Sequence, residues 1–268
     1  MRRRIRRRSV RRRKITDTIL NIALVICCAV FLFSGWKLIH SIIEYRQGEK
    51  NYEEIILDAV ISPGTDNSND KEDNEEALPL IDWAKLGAMN DDLIGWLYIP
   101  DTKIQYPIVQ GRDNDYYLTH TFDGTENACG CIFMDKDNKS DYSSDNTILH
   151  GHNMKNGTMF GSLREYEEKS YWQSHPYIWI LQEHKVMKYE IFSVGITEAA
   201  SDVYTLEFGS EENFQNYIVN RTKLGAIFET GVNVTPNDKI LTLSTCTSDT
   251  EVGRRVVQAK LVQEKVIQ

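Results

Sequence analysis

The chain has 268 residues, 31 of them basic and 39 acidic, for a formal net charge of −8, and is long enough for one large domain or two small ones. The charge is unevenly held. Residues 1–14, "MRRRIRRRSVRRRK", carry nine arginines, one lysine and no acid, so 21 basic residues face all 39 acids in the remainder, a net of −18. A basic head on an acidic body is the pattern of a nucleic-acid-binding arm, but the long apolar run directly after the head excludes that reading.

From Ile19 to Trp36 the chain reads "ILNIALVICCAVFLFSGW", eighteen residues without a charge. At a helical rise of about 1.5 Å per residue this spans ~27 Å, close to the hydrocarbon thickness of a bilayer. Ten positive charges directly before it hold the N-terminus in the cytoplasm. No small-x-small cleavage site comes after it, because the run passes straight into "KLIHSIIEYR"; an uncleaved signal-anchor is therefore predicted. Residues 1–14 are assigned to a basic cytoplasmic tail and 15–39 to a single transmembrane helix of the plasma membrane, with the rest of the chain extracellular. Cys27 and Cys28 lie inside the span as small apolar residues.

Residues 40–77 form a juxtamembrane region. Its first part, "SIIEYRQGEKNYEEIILDAVI", has the pattern of an amphipathic helix over 41–61. Its second, "SPGTDNSNDKEDNEEA" over 62–77, is acidic and nearly free of apolar residues, so it is read as a flexible linker. The folded body is expected over 78–268, beginning with a helix in "LIDWAKLGAMNDDLIGW". Short runs rich in β-formers come next: "GWLYIPDTKIQYPIVQG", "CGCIFMD", "NTILHGH", "YIWILQ", "VMKYEIFSVGI", "KILTLSTC" and "RRVVQAKLVQ". Helical stretches at 157–168 and 210–225 interrupt them. Many short strands with few helices predict a mainly β domain, a barrel or a sandwich.

Three cysteines lie beyond the span: Cys129, Cys131 and Cys246. An odd number outside the membrane leaves at least one free. Cys129 and Cys131 are too close for an unstrained bridge on one strand, and two sulfurs alone make a poor zinc site. Both are read as packing residues, and no metal or cofactor is predicted. Cys246 differs. Alternation along "LTLSTC" puts Leu241 and Leu243 on one face and Thr242, Ser244 and Cys246 on the other, a polar face where a groove is expected. In the next strand Arg254, Gln258 and Lys260 share the polar side. If the two strands pair, Arg254 rather than Arg255 comes close to Cys246.

A thiol becomes a nucleophilic thiolate at neutral pH beside a base or a cation. Of His40, His120, His150, His152, His175 and His184, the pair His150 and His152 ends a strand in "NTILHGHNM". Both have the same parity, so alternation does not separate them, and a structural role for either stands beside a Cys–His–Arg site.

These residues carry a family resemblance. "TLSTC" followed by an arginine that opens a "VVxAKL"-type strand resembles the signature of the sortases, membrane-anchored cysteine transpeptidases of Gram-positive bacteria. "GHNMKNGTMFGSL" resembles their histidine motif, in which the histidine follows glycine, and this selects His152. The stretch "DDLIGWLYIPDTKIQYPIVQGRDNDYYLTHTFDG" is similar to class B members, as is the helix at 210–225. Together the similarity covers about residues 79–263. It implies a closed barrel of about eight strands, with N-terminal helices and a helix before the last two strands. It further implies Cys246 as nucleophile, His152 as general acid and base, and Arg254 as the cation orienting substrate or oxyanion. Ser244 and Thr245, beside the nucleophile, are candidate substrate contacts.

The implied partners are secreted proteins with a C-terminal sorting signal of NPxTN or PPxTG type and an amine of peptidoglycan or its lipid-linked precursor, with no nucleic acid. A membrane-anchored cysteine peptidase hydrolysing wall peptides is the rival reading. Papain-like enzymes of that sort place cysteine before histidine, whereas here His152 precedes Cys246. An inert binding module would have no need of the three residues together.

Overall fold

The computed structural model describes residues 2–61, 78–247 and 253–267, with side chains from residue 20 onward. The expected linker at 62–77 and the acidic loop at 248–252 lie outside the described residues. The chain divides into two compact units, residues 1–47 and 48–268.

A single helix, α1, runs over Arg2–Ala59. From Leu20 it is long and apolar enough to cross a membrane. The expected amphipathic helix at 41–61 is not separate; it is the last part of α1. The helix gives way to a short strand, β1 (Val60–Ile61), where two β-branched residues approach Pro63. β1 pairs antiparallel with β2 (Leu80–Ile81). Next comes the short helix α2 (Trp83–Met89), its start capped by the Asp82 carboxylate, which accepts the Lys85 N–H at 2.9 Å.

The body is a closed eight-stranded barrel. Its strands are β3 (Leu93–Tyr98), β4 (Gln105–Val109), β5 (Ile132–Met134), β6 (Asn146–His150), β7 (Tyr177–Gln182), β8 (Lys185–Glu198), β9 (Ile240–Cys246) and β10 (Gly253–Val266). Around the barrel they run β10-β8-β7-β3-β4-β5-β6-β9, closing back on β10. The neighbours β4 and β5, and β6 and β9, are parallel; the other pairs are antiparallel. Closure settles the barrel-or-sandwich alternative and leaves the barrel itself without an open edge.

The helical stretch expected at 157–168 is a 3-10 helix over Gly161–Glu167, succeeded by α3 (Lys169–Ser174). That expected at 210–225 is α4 (Glu211–Val219), capped by Ser210, with one π turn over Asn220–Leu224. α4 packs Phe214, Tyr217 and Ile218 against Phe192, Phe208 and Ile240 on the outside of the barrel. Phe192 reaches that layer because the β8–β10 register slips between Gln258 and Ala259, leaving it without a cross-strand partner; such a bulge re-aims a side chain.

This outer layer changes the meaning of the polar face predicted for β9. Leu241, Leu243, Val257 and Ala259 are fully buried on one side, as alternation requires. Thr242, Ser244 and Gln258 on the other side are buried too, under α4 and the turn at 202–204. The face is roofed rather than an open groove. Only its last member, Cys246, is exposed.

Candidate active site

The parallel pairing of β6 with β9 aligns His150 with Ser244, so both strands finish at the same end of the barrel. β10 starts at that end, antiparallel to β9, with Arg254 directly opposite Cys246. Cross-strand partners have Cα atoms about 4.5–5.5 Å apart and side chains on one face. Cys246 is a free, exposed thiol at the tip of its strand. Arg254 is half-buried and donates from Nη1 to the Gly253 carbonyl at 3.0 Å.

Arg255 turns to the other side. It is 7% exposed, and its Nε donates to Glu167 Oε1 at 2.6 Å, with Nη2 on the same oxygen. Strand parity thus separates the two arginines as the sequence predicted.

Gly151 carries the chain from β6 to His152. A Cβ there would lie 2.5 Å from Ile132 Cδ1 and 2.7 Å from the Phe160 ring, so only glycine fits between the two histidines. Its N–H donates to the Ser244 carbonyl at 3.2 Å, tying the histidine segment to β9 two residues before Cys246.

His152 is half-buried, and its Nε2 lies 2.6 Å from the Leu118 carbonyl. A carbonyl oxygen only accepts, so Nε2 carries a proton. Nδ1 is then the ring nitrogen through which a proton can be exchanged with a reacting group. The carbonyl of His152 accepts the Phe160 N–H at 3.0 Å. Ring and main chain are therefore each held once.

His150 does different work. Its Nε2 is 3.3 Å from Asp135 Oδ2, and its ring packs against Phe133 and Tyr204. Burial pushes the Asp135 carboxyl up, but the His150 hydrogen bond and charge, with the Asp137 N–H and Asn114, together hold it below the usual carboxylate range. The structure thus separates the two histidines that alternation could not.

Of the other histidines in this unit, His120 and His175 bond carbonyls one turn back, at Tyr116 and Tyr171, and His184 lies in the β7–β8 turn.

Ser244 and Thr245 are each 2% exposed. The Ser244 hydroxyl is 2.7 Å from that of Tyr204. Burial raises the Tyr204 hydroxyl above its ordinary range, the Ser244 bond and the Arg254 charge pull it back, and Cys246 adds to the rise. Tyr204 therefore lies within electrostatic reach of both Cys246 and Arg254. Sequence reading missed Tyr204 and Leu118. Neither had a signal: Leu118 acts through its carbonyl, and Tyr204 reaches β9 from an irregular turn.

Cys129 and Cys131 are buried in the turn before β5. Burial pushes the Cys131 thiol up to about 12, which keeps it protonated and unreactive. Among the described residues no three His, Cys, Asp or Glu side chains gather as a metal site requires.

Comparisons with known proteins place the chain's family. A family model for the Sortase domain matches residues 97–262. The chain is 37% identical over 242 residues to "Sortase B" of Listeria monocytogenes, covering 89% of this chain and 94% of that protein. It is 30% identical to "Sortase B" of Staphylococcus aureus, covering 92% and 96%. The crystal structure of sortase B from B. anthracis superposes with a TM-score of 0.68 at 31% identity, covering 83% of this chain and 99% of that one.

Proposed function

The chain belongs to the sortase family of cysteine transpeptidases, in class B, and from that premise we infer that Cys246, His152 and Arg254 join a secreted protein to a cell-wall amine. The observation that carries this reading is the register pairing of Arg254 with Cys246 at the end of the barrel where the β6 histidine segment also finishes.

In the first step the Cys246 sulfur attacks the carbonyl of a threonine in the sorting signal. A C–S bond forms as the C–N bond breaks, leaving a thioester. His152 takes the proton of the attacking Cys246 thiol on Nδ1 and gives it to the departing amine, while the Leu118 carbonyl keeps Nε2 protonated and the ring oriented. In the second step an amine of peptidoglycan or its lipid-linked precursor attacks the thioester. His152 takes the proton from that amine on Nδ1 and returns it to the departing Cys246 sulfur.

Arg254 supplies donors to the oxygen on which negative charge develops in both steps. Its charge is permanent, so it cannot serve as the base. Preorganised donors of this kind are worth about 3–4 kcal/mol of barrier.

Ser244 and Thr245, expected as substrate contacts, present no side chain to a substrate, because both are covered. The signal is of the NPxTN or PPxTG kind. The apolar part of α1 is the single-pass anchor, with the basic tail of residues 1–14 in the cytoplasm and the barrel outside.

The test is mass spectrometry of the protein after incubation with a library of sorting-signal peptides. An acyl adduct ending in threonine is expected on Cys246, released as an amide when an amine is added. Cys246→Ala should form none and keep its thermal stability, because the side chain is exposed. Transfer by Cys246→Ala would remove the thiol from the mechanism, and release of free acid alone, with amine present, would favour the hydrolytic reading.

A further inference from the structure

Two backbone contacts hold His152: the Leu118 carbonyl on its ring and the Phe160 N–H on its main chain. Both lead back to one side chain, Tyr52, near the C-terminal end of α1. Tyr52 is 4% exposed. Its hydroxyl donates to the Gly130 carbonyl at 2.7 Å. The next residue, Cys131, donates its N–H to the Tyr117 carbonyl at 2.9 Å, and beside Tyr117 in the chain is Leu118, with the carbonyl that receives the His152 ring.

On the other side the Tyr52 ring meets Tyr106 edge-on, with centroids 5.4 Å apart. The Tyr106 hydroxyl accepts the Met159 N–H at 3.0 Å, and beside Met159 is Phe160, with the N–H that holds the His152 carbonyl. The two routes form a closed circuit from α1 through both supports of the imidazole.

The seat of Tyr52 is specific. Gly48, one turn earlier, lies so close to the 127–130 turn that a Cβ would stand 2.5 Å from Cys129 Sγ and 2.8 Å from Asn127 Oδ1. Yet space is not filled around the tyrosine. A cavity of about 260 Å³ runs beside it, lined by Gly48, Tyr106, Cys129 and Met159 among others. Beside that cleft the hydroxyl bond to Gly130 and the edge contact with Tyr106 hold the ring.

We propose that Tyr52 is a positioning residue for His152: by bracing the Gly130 and Tyr106 segments, the end of α1 keeps Nε2 bonded to Leu118 and Nδ1 turned to the reacting groups. This rests on His152 being the acid–base group. Tyr52 touches neither substrate nor the reacting atoms; it acts through the two segments.

The test uses the full chain in detergent micelles with 15N-labelled histidine, the His152 ring signals being assigned with His152→Ala. The wild type should show an Nε2-protonated ring. Tyr52→Phe keeps the ring and loses the hydroxyl, and its His152 signals should move toward mixed tautomers. Labelling of Cys246 by a methanethiosulfonate probe should slow about threefold in Tyr52→Phe and about tenfold in Tyr52→Ala, as small misplacements of a catalytic group do.

A folded Tyr52→Phe protein with wild-type His152 signals overturns the proposal, whatever becomes of Tyr52→Ala. The parent reading fails separately: if His152→Ala labels at the wild-type rate, the imidazole does not support the thiol, and the nitrogen signals alone decide the role of Tyr52.

Discussion

Successive residues of a strand face opposite sides, and at Arg254 and Arg255 this divides one charge type between two tasks. Arg254 stands opposite Cys246, while Arg255, 8% exposed at its side chain, is committed to Glu167. Arg254→Lys should lower kcat/KM about a hundredfold or more without a change in Tm, because an ammonium lacks the planar fork of donors. Arg255→Ala should do the reverse. It strands Glu167, and since that carboxylate is a third exposed the cost is about 1–3 kcal/mol, read as a lower Tm with acyl transfer retained. A loss of transfer confined to Arg255→Ala would mean that the strand is read one residue out of register. The parity was legible in the sequence. The Glu167 partner was not, since it comes from a 3-10 helix 88 residues earlier in the chain.

At the scale of elements, the outer face of β6, β9 and β10 is a buried polar layer. Thr242 Oγ1 donates to Asn146 Oδ1 at 2.8 Å and accepts from Gln258 Nε2 at 2.9 Å, and the Gln258 amide also reaches the Tyr217 hydroxyl of α4. Asn146 Nδ2 donates to the carbonyls of Val203 and Thr205 at 3.0 and 2.9 Å. One amide thus ties β6 to the turn that bears Tyr204. Asn146→Ala would take one donor from each of the Val203 and Thr205 carbonyls and the acceptor from the Thr242 hydroxyl in a buried site, at a cost of about 2–4 kcal/mol. Urea unfolding should show that loss, and Tyr204 should become reactive to a tyrosine-modifying reagent. An unchanged unfolding midpoint would mean that the layer is not cooperative. Alternation identified the polar residues but took them for a groove, because the α4 insertion that covers them is separated from β6 by more than fifty residues of chain. Period-two patterning reports which side is polar. It does not report whether a distant segment supplies the hydrogen bonds that let that side be buried.

For the whole molecule the question is where the folded body begins. Composition put the start at Leu78, after the acidic stretch, yet residues 48–268 form one compact unit. Tyr52, Ile55 and Ala59 of α1 are 4%, 3% and 1% exposed, at the i, i+3, i+7 spacing of a helix face. β1 pairs with β2, Asp82 donates its N–H to the Ala59 carbonyl at 2.8 Å, and Lys85 lies 3.2 Å from Asp58. The two sides of the 62–77 stretch are thereby joined, so the end of α1 and β1 are part of the body. The amphipathic face was legible in "NYEEIILDA", but its receiving surface was not, because that surface is assembled from the 127–130 turn and Tyr106, far along the chain. A chain beginning at Leu78 would bare that surface and lose the burial of one tyrosine and one isoleucine, worth about 3–6 kcal/mol at ordinary transfer values. It should unfold at a lower temperature than a chain beginning at Gly48 and associate on gel filtration, while the longer one stays monomeric. With Tyr52 gone it should also acylate slowly at saturating peptide. Equal Tm and equal kcat for the two chains would show that the end of α1 rests on the barrel without supporting it.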